Sequence, residues 1–320
     1  MNYDNYLPNV FFLSSGKSGT GTLYRYLKHC PNFSIQKQKE LNFFAFAGFS
    51  QMDKFSDSVT SIENYVKALS DTEKEGELRF DVSPVNFYFH EQFCENIKDN
   101  YGDKINNLKY VFLLREPVSR AISHFNMNLD VWDFRDIVSA LNDTSYSNLS
   151  FSQKISMSSD GGYNYFYDYI GASLYSERIS YILQNLNIDK DRFCIVKFDE
   201  FINSPVSVLK DICSFLEIED NWVEDLPIYQ TGSNGSLRLG WLYRFLVKPN
   251  QFKDNLKRLP LFSNSMFRNL KARIYSSSVF RGSVKTIDRD LHNQLLKSFF
   301  TQISSLLRNF MALICLHGKN

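Results

Sequence analysis

The chain has few of the residues from which metal and disulfide architectures are built. Its five cysteines (Cys30, Cys94, Cys194, Cys213 and Cys315) are widely spaced, odd in number and free of any C-x-x-C pair. That pattern argues against a disulfide framework and against a structural zinc site. The five histidines are equally scattered, so no metal is expected. An excess of basic charge is also missing, since 36 Lys and Arg stand against 35 Asp and Glu for a formal charge of +1. Nucleic-acid binders carry a basic excess or stripe, so no nucleic-acid partner is expected. Any anionic ligand must be held by a local site rather than by the field of the whole molecule. Long hydrophobic runs are lacking too. Met1 to Leu7 is polar and has no apolar signal region, and Val10 to Leu13 is too short to span a membrane. Phe299 to Leu316 is interrupted by Gln302, Ser304, Ser305, Arg308 and Asn309. These absences make a cytoplasmic location, with no membrane span, the expectation.

What is present describes an ordinary globular protein, 43% hydrophobic and 22% charged, with ample material for a core. A length of 320 residues suits a single domain over residues 1–320, its core at about 9–216 and a helical and loop region at about 217–320. Strand candidates fall at Asn9 to Leu13, Glu77 to Val82, Lys109 to Leu114 and Arg192 to Phe198. Helices are expected near Thr20 to His29, Val85 to Lys98, Val118 to Asn128, Ala172 to Asn185 and Val206 to Leu216. Short apolar strands alternating with helices predict an α/β fold, a P-loop-type parallel β-sheet flanked by helices, with a helical C-terminal extension. Leu291, Leu295, Phe299, Ile303, Leu306 and Phe310 recur at helical spacing in that extension, a stripe that packing alone accounts for. The polar stretches Phe46 to Glu75 and Leu129 to Gly171 are expected to include insertions near the mouth of a site.

Between the first strand and the first helix lies Ser14-Ser15-Gly16-Lys17-Ser18-Gly19-Thr20-Gly21-Thr22. Glycines here let backbone N–H groups converge on an anion, and the helix N-terminus adds its positive end. Lys17 supplies a mobile cation, and Thr20 and Thr22 supply hydroxyls. A plain strand-to-helix turn needs only a Ser or Thr cap, so a lysine and three glycines exceed it. A nucleotide kinase is the rival reading, because Gly16-Lys17-Ser18 matches the last three positions of G-x-x-x-x-G-K-[ST]. The leading glycine of that motif would fall at Phe11, inside the strand. The kinase reading is weakened but stays open, with Asp81 as its candidate metal ligand.

Lys109 to Asn126 reads KYVFLLREPVSRAISHFN. Arg115 follows a buried strand, where doubly wound sheets bind their ligands, and Pro117 suits the first turn of the next helix. Arg115 and Ser123 can meet on one phosphate; the alternative is an ordinary ion pair and an exposed helix serine. At this point the sequence resembles the sulfotransferases that use 3′-phosphoadenosine 5′-phosphosulfate (PAPS). Lys17-Ser18-Gly19-Thr20 is similar to their 5′-phosphosulfate loop, and Leu114-Arg115-Glu116-Pro117 with Arg120 and Ser123 to their 3′-phosphate motif. Lys39-Glu40-Leu41-Asn42-Phe43-Phe44 and Asp81-Val82-Ser83-Pro84 resemble two segments of the heparan sulfate sulfotransferases and their bacterial relatives. Arg192 to Pro205 resembles the family's late strand, acidic turn and helix.

The resemblance implies PAPS as co-substrate, without a metal, and a carbohydrate or similar hydroxylated small molecule as acceptor. It implies that Lys17 stabilises the departing phosphate oxygen and that Glu40 is the general base. Ser18, Gly19, Thr20, Gly21 and Thr22 would hold the 5′-phosphate, and Arg115 and Ser123 the 3′-phosphate. Arg281 is a candidate for the loop that closes over the adenine, with Arg238 as competitor. Read without the resemblance, Glu40 beside Lys39 is a solvated pair, and His90 and His124 are alternative bases. Three positions depart from the heparan sulfate pattern, Asn42 for histidine, Ala45 for aspartate and Val82 for lysine, all on the acceptor side. A nucleotide-binding protein without turnover is the third reading. Oligomeric state has no signal in the sequence.

Overall fold

The computed structural model describes residues 6–54, 58–129, 133, 135–159, 167–227, 229 and 284–297. At its centre are four parallel strands in the order β4-β1-β5-β6, with β1 at Val10–Leu13, β4 at Phe80–Asp81, β5 at Lys109–Leu114 and β6 at Phe193–Lys197. A short antiparallel pair, β2 (Ile35–Gln36) and β3 (Thr72–Lys74), stands apart from it. β1 and β5 read VFFL and KYVFLL and are almost wholly buried, as strands covered on both faces must be. After β1 the chain builds β4 on one side and then crosses to build β5 on the other, in register Val10 with Phe80 and with Lys109. Such a reversal opens a crevice beyond the carboxyl ends of the strands.

The helices in chain order are α1 (Thr20–Leu27), α2 (Phe43–Phe46), α3 (Ile62–Ser70), α4 (Pro84–Tyr88), α5 (His90–Tyr101), α6 (Pro117–Asn128), α7 (Ile137–Asn142), α8 (Phe151–Ser159), α9 (Tyr175–Asn185), α10 (Phe198–Asn203) and α11 (Pro205–Leu216). Two cores flank the sheet. One joins Phe11, Leu13, Tyr110 and Phe112 to α2, α3, α5 and α9; the other joins Phe12, Val111 and Leu113 to α1 and α11. Phe11 alone meets Phe44, Phe93 and Tyr101 edge to face and lies nearly parallel to Tyr110. The predicted parallel α/β sheet is therefore present, and helical turns at 289–297 represent the C-terminal extension.

Two differences from the sequence expectations have local causes. The strand expected over Glu77 to Val82 contracts to Phe80–Asp81, because Leu78 bridges Phe33 instead and Pro84 begins α4 at once. The helix expected over Val85 to Lys98 is broken at Phe89 (φ −97°, ψ 55°), whose ring packs on Phe46 and Phe151 rather than continuing the turn. The stretch Phe46 to Glu75 also contributes to the core, since Tyr65 of α3 is fully buried and stacks on Phe43.

Candidate functional site

The crevice is built by the loops that follow three adjacent strands. After β1 the loop turns tightly, with Lys17 (φ 76°) and Gly19 (φ 95°) both left-handed. For lysine that conformation is strained, and it is held from outside: the Arg115 guanidinium donates to the Lys17 carbonyl at 3.0 Å. Gly19 is needed twice over. Its φ disfavours any L side chain, and an added Cβ would sit 2.8 Å from the ring of Phe198. That ring, just after β6, lies under the Arg115 guanidinium at 4.6 Å from its centroid. Lys17, Arg115 and Phe198 thus lock one another in place from the ends of β1, β5 and β6.

α1 begins at Thr20 with no side-chain cap and no acidic residue in its first turn, so its N–H groups and positive end remain available to an anion. The Ser18 hydroxyl and the Tyr175 hydroxyl at the start of α9 are both buried and neighbour one another. Burial raises the Tyr175 pKa, with Arg120 among the charges opposing it. Tyr175 escaped the sequence reading because it opens an amphipathic helix and carries no motif of its own.

Arg120 has a role different from a ligand contact. It is fully buried and donates Nε to Ser173 Oγ at 2.6 Å, Nη1 to the Gly16 carbonyl at 3.1 Å and Nη2 to the Tyr169 carbonyl. It therefore braces the loop. Nη1 also faces His124 Nδ1 at 3.2 Å. His124 is buried against Tyr169, and burial, Arg120 and Lys17 hold it well below the usual imidazole range. Accepting at Nδ1 leaves the hydrogen on Nε2, so neither nitrogen is free to take a proton. That geometry removes His124 as a base. His90 is pushed down to about 4 by burial and packs on Tyr181.

Glu40 lies on the segment after β2, its side chain 42% exposed and paired with Lys39 Nζ. Lys39 in turn reaches Thr20 Oγ1 at 3.4 Å, which ties this segment to the first turn of α1. The backbone N–H of Asn42 donates to Ser83 Oγ at 3.1 Å, so the segments carrying Glu40 and Asp81-Val82-Ser83-Pro84 are joined. Asn42 is left-handed (φ 59°) and caps α2, a conformation asparagine tolerates. Val82 and Ala45 are fully buried in two cores. Asp81 is also committed inward: it accepts from Tyr65 Oη, Ser83 N and Asn86 Nδ2 at 2.9–3.0 Å, and burial raises its pKa. Ser123 is half-buried on α6, two turns beyond Arg115. Thr20 and Thr22 are buried and Gly21 is exposed. Arg281 and Arg238 lie outside the described residues. Among the described residues no cluster of three or more His, Cys, Asp or Glu is present, Cys30, Cys94, Cys194 and Cys213 are free thiols, and no helix is long and apolar enough to cross a membrane.

Over residues 8–224 the chain matches the sulfotransferase family model. The chain belongs to the sulfotransferase family. Among solved structures, a sulfotransferase from Alicyclobacillus acidocaldarius superposes with TM-score 0.54 at 21% identity, covering 82% of this chain and 99% of that one. The sulfotransferase domain of the curacin biosynthetic pathway gives TM-score 0.42 at 16% identity over 93% and 98% of the two chains. Mouse sulfotransferase SULT7A1 complexed with PAP gives 0.38 at 12% over 85% and 86%. Among curated proteins no sequence matches the chain. This sulfotransferase presents an uncapped helix N-terminus, the buried hydroxyls of Ser18 and Tyr175 and two basic side chains, Lys17 and Arg115, at one crevice. That is a donor set suited to an anionic ligand.

Proposed function

We propose that this sulfotransferase uses PAPS as donor and passes its sulfuryl group to a hydroxyl of an acceptor, a carbohydrate or another hydroxylated metabolite. The observation that carries this reading is the meeting of the loop after β1 with Arg115 after β5, which sets two anion-binding groups side by side. The backbone of Ser18 to Thr22 faces the 5′-phosphate, and Arg115 and Ser123 face the 3′-phosphate. Arg115 commits one donor to Lys17 and keeps the rest of its fork for a phosphate. In the transfer, the bond from sulfur to the bridging phosphate oxygen breaks as the bond to the acceptor oxygen forms. Lys17 neutralises the charge growing on the bridging oxygen, and Glu40 takes the acceptor proton. We assign the reaction to a single cytoplasmic domain spanning the chain, with Arg281 in the closing loop.

The internal hydrogen bonds of Asp81 weigh against the kinase alternative, because both carboxylate oxygens already have partners. Calorimetric titration with 3′-phosphoadenosine 5′-phosphate, against ATP with Mg²⁺, separates the two readings. Binding of the former without metal, weakened in Arg115→Ala, is expected. Binding of ATP with Mg²⁺ alone would overturn the proposal.

A further inference from the structure

A cavity of about 70 Å³ opens directly beside the loop, touching Ser15 and Gly16, the two residues before Lys17. These two lining residues lead directly into Lys17, proposed above to neutralise the charge of the leaving oxygen. Its walls are Pro84, Val85 and Tyr88 of α4, Met127 of α6 and Ala172. The other side chains facing it are polar by name but turn polar atoms into the protein. Ser15 Oγ donates to the Ala172 carbonyl. Tyr88 Oη donates to Asp168 at 2.6 Å. Arg120 divides its guanidinium among Ser173, Gly16 and Tyr169, and His124 turns Nδ1 to Arg120.

We infer that the acceptor of this sulfotransferase carries an apolar body, an aryl or alkyl group next to the hydroxyl that receives the sulfuryl group, rather than a sugar ring. The inference rests on the donor reading above and names the substrate class of the same site. A sugar brings hydroxyls around its whole edge, and each one buried without a partner costs about 1–3 kcal/mol. An aryl or alkyl group brings no such cost, gains from leaving water and packs on methyl, thioether and ring surfaces. Val85 and Met127 act as specificity-determining residues, because they line the cavity from two different helices. The departures at Asn42, Ala45 and Val82 agree with this: each is turned into the fold, so none offers a polar group to a saccharide.

The test compares transfer from PAPS to 2-naphthol and to N-acetylglucosamine and maltotriose, with 3′-phosphoadenosine 5′-phosphate binding measured in parallel. Expected is a kcat/KM for 2-naphthol at least about tenfold above either sugar. Met127→Asp should lower the naphthol value by about tenfold or more while nucleotide affinity stays within about twofold, which also reports that the variant is folded. Met127→Trp, which fills the cavity without adding charge, should lower it as well. Faster transfer to a sugar, or Met127→Asp with unchanged naphthol kinetics, overturns the inference and leaves the donor reading standing. If the nucleotide does not bind, the donor reading fails. The cavity is then judged by fluorescence titration with 2-naphthol itself: binding that Met127→Asp weakens sustains the apolar assignment, and no binding overturns it.

Discussion

Replacing Gly19 and Gly21 by alanine, one at a time, should move stability in opposite directions although they stand two residues apart in one motif. At Gly19 the backbone is left-handed, φ 95°, which costs an L residue about 1–2 kcal/mol. Its new Cβ would also stand 2.8 and 2.9 Å from two ring carbons of Phe198. That ring cannot simply swing away, because it is buried and carries the Arg115 guanidinium on its face. Overpacking of this kind adds about 1–3 kcal/mol, so Gly19→Ala should destabilise by about 2–5 kcal/mol in all. At Gly21 the backbone is helical and exposed, and nothing lies within 4 Å of an added Cβ. Gly21→Ala should therefore stabilise by about 0.5–1 kcal/mol through helix propensity and unfolded-state entropy. Urea unfolding followed by circular dichroism measures both, and nucleotide titration shows whether displacing Phe198 also weakens the Arg115 site. A Gly19→Ala protein within about 0.5 kcal/mol of wild type would refute the reasoning.

Three further outcomes are expected. Glu40→Gln should lower turnover by about 10²–10⁴-fold with nucleotide affinity unchanged, since the residue is assigned to proton removal and not to holding the donor; wild-type turnover in steady-state kinetics would exclude it as the base. Arg120→Met should cost about 3–5 kcal/mol, because it strips a buried guanidinium from the Gly16 and Tyr169 carbonyls and leaves them unpaired; denaturant unfolding checks this. His90 is depressed from 6.5 to about 4 by burial, with Arg178 and Lys154 adding to it. The unfolded chain therefore takes up a proton at this site below pH 6.5 while the folded chain refuses it until about 4. The stability linked to His90 is fully present above pH 6.5 and falls away as pH drops toward 4, by about 3 kcal/mol at most. His90→Phe should flatten that part of the pH–stability curve relative to wild type, and identical curves would contradict it.

How much of this was legible in the sequence depends on whether a feature is local. The strands β1 and β5 are unbroken apolar runs, and the Gly and Ser of the loop between β1 and α1 are turn chemistry written at consecutive positions. Both were readable, as was the placement of Arg115 at a strand end. What failed to show depends on residues far apart. Phe198 constrains Gly19 from 179 residues away in sequence. The Ser173 hydroxyl and the Tyr169 carbonyl hold Arg120 from within or just past a polar stretch expected to include insertions. Tyr175 acquires its interest only because Ser18 is its neighbour. The break at Phe89 is likewise tertiary, since nothing in Val85 to Lys98 is a helix breaker and only the packing of that ring imposes it.

Arg115 and Arg120 grip the consecutive carbonyls of Lys17 and Gly16. A planar trans peptide sends its carbonyl and its amide hydrogen in opposite directions, so fixing the two oxygens also fixes which way the neighbouring amide hydrogens point. The shape of the loop is thus stored partly outside it, in Arg115 just after β5 and Arg120 of α6, 98 and 104 positions downstream of the carbonyls they hold. Transplanted by itself onto another parallel sheet, the Gly16–Thr22 segment would relax and lose its aim. Moved together with Arg115 through Arg120, it becomes a portable two-piece cassette, and protein engineers should treat the pair as one part.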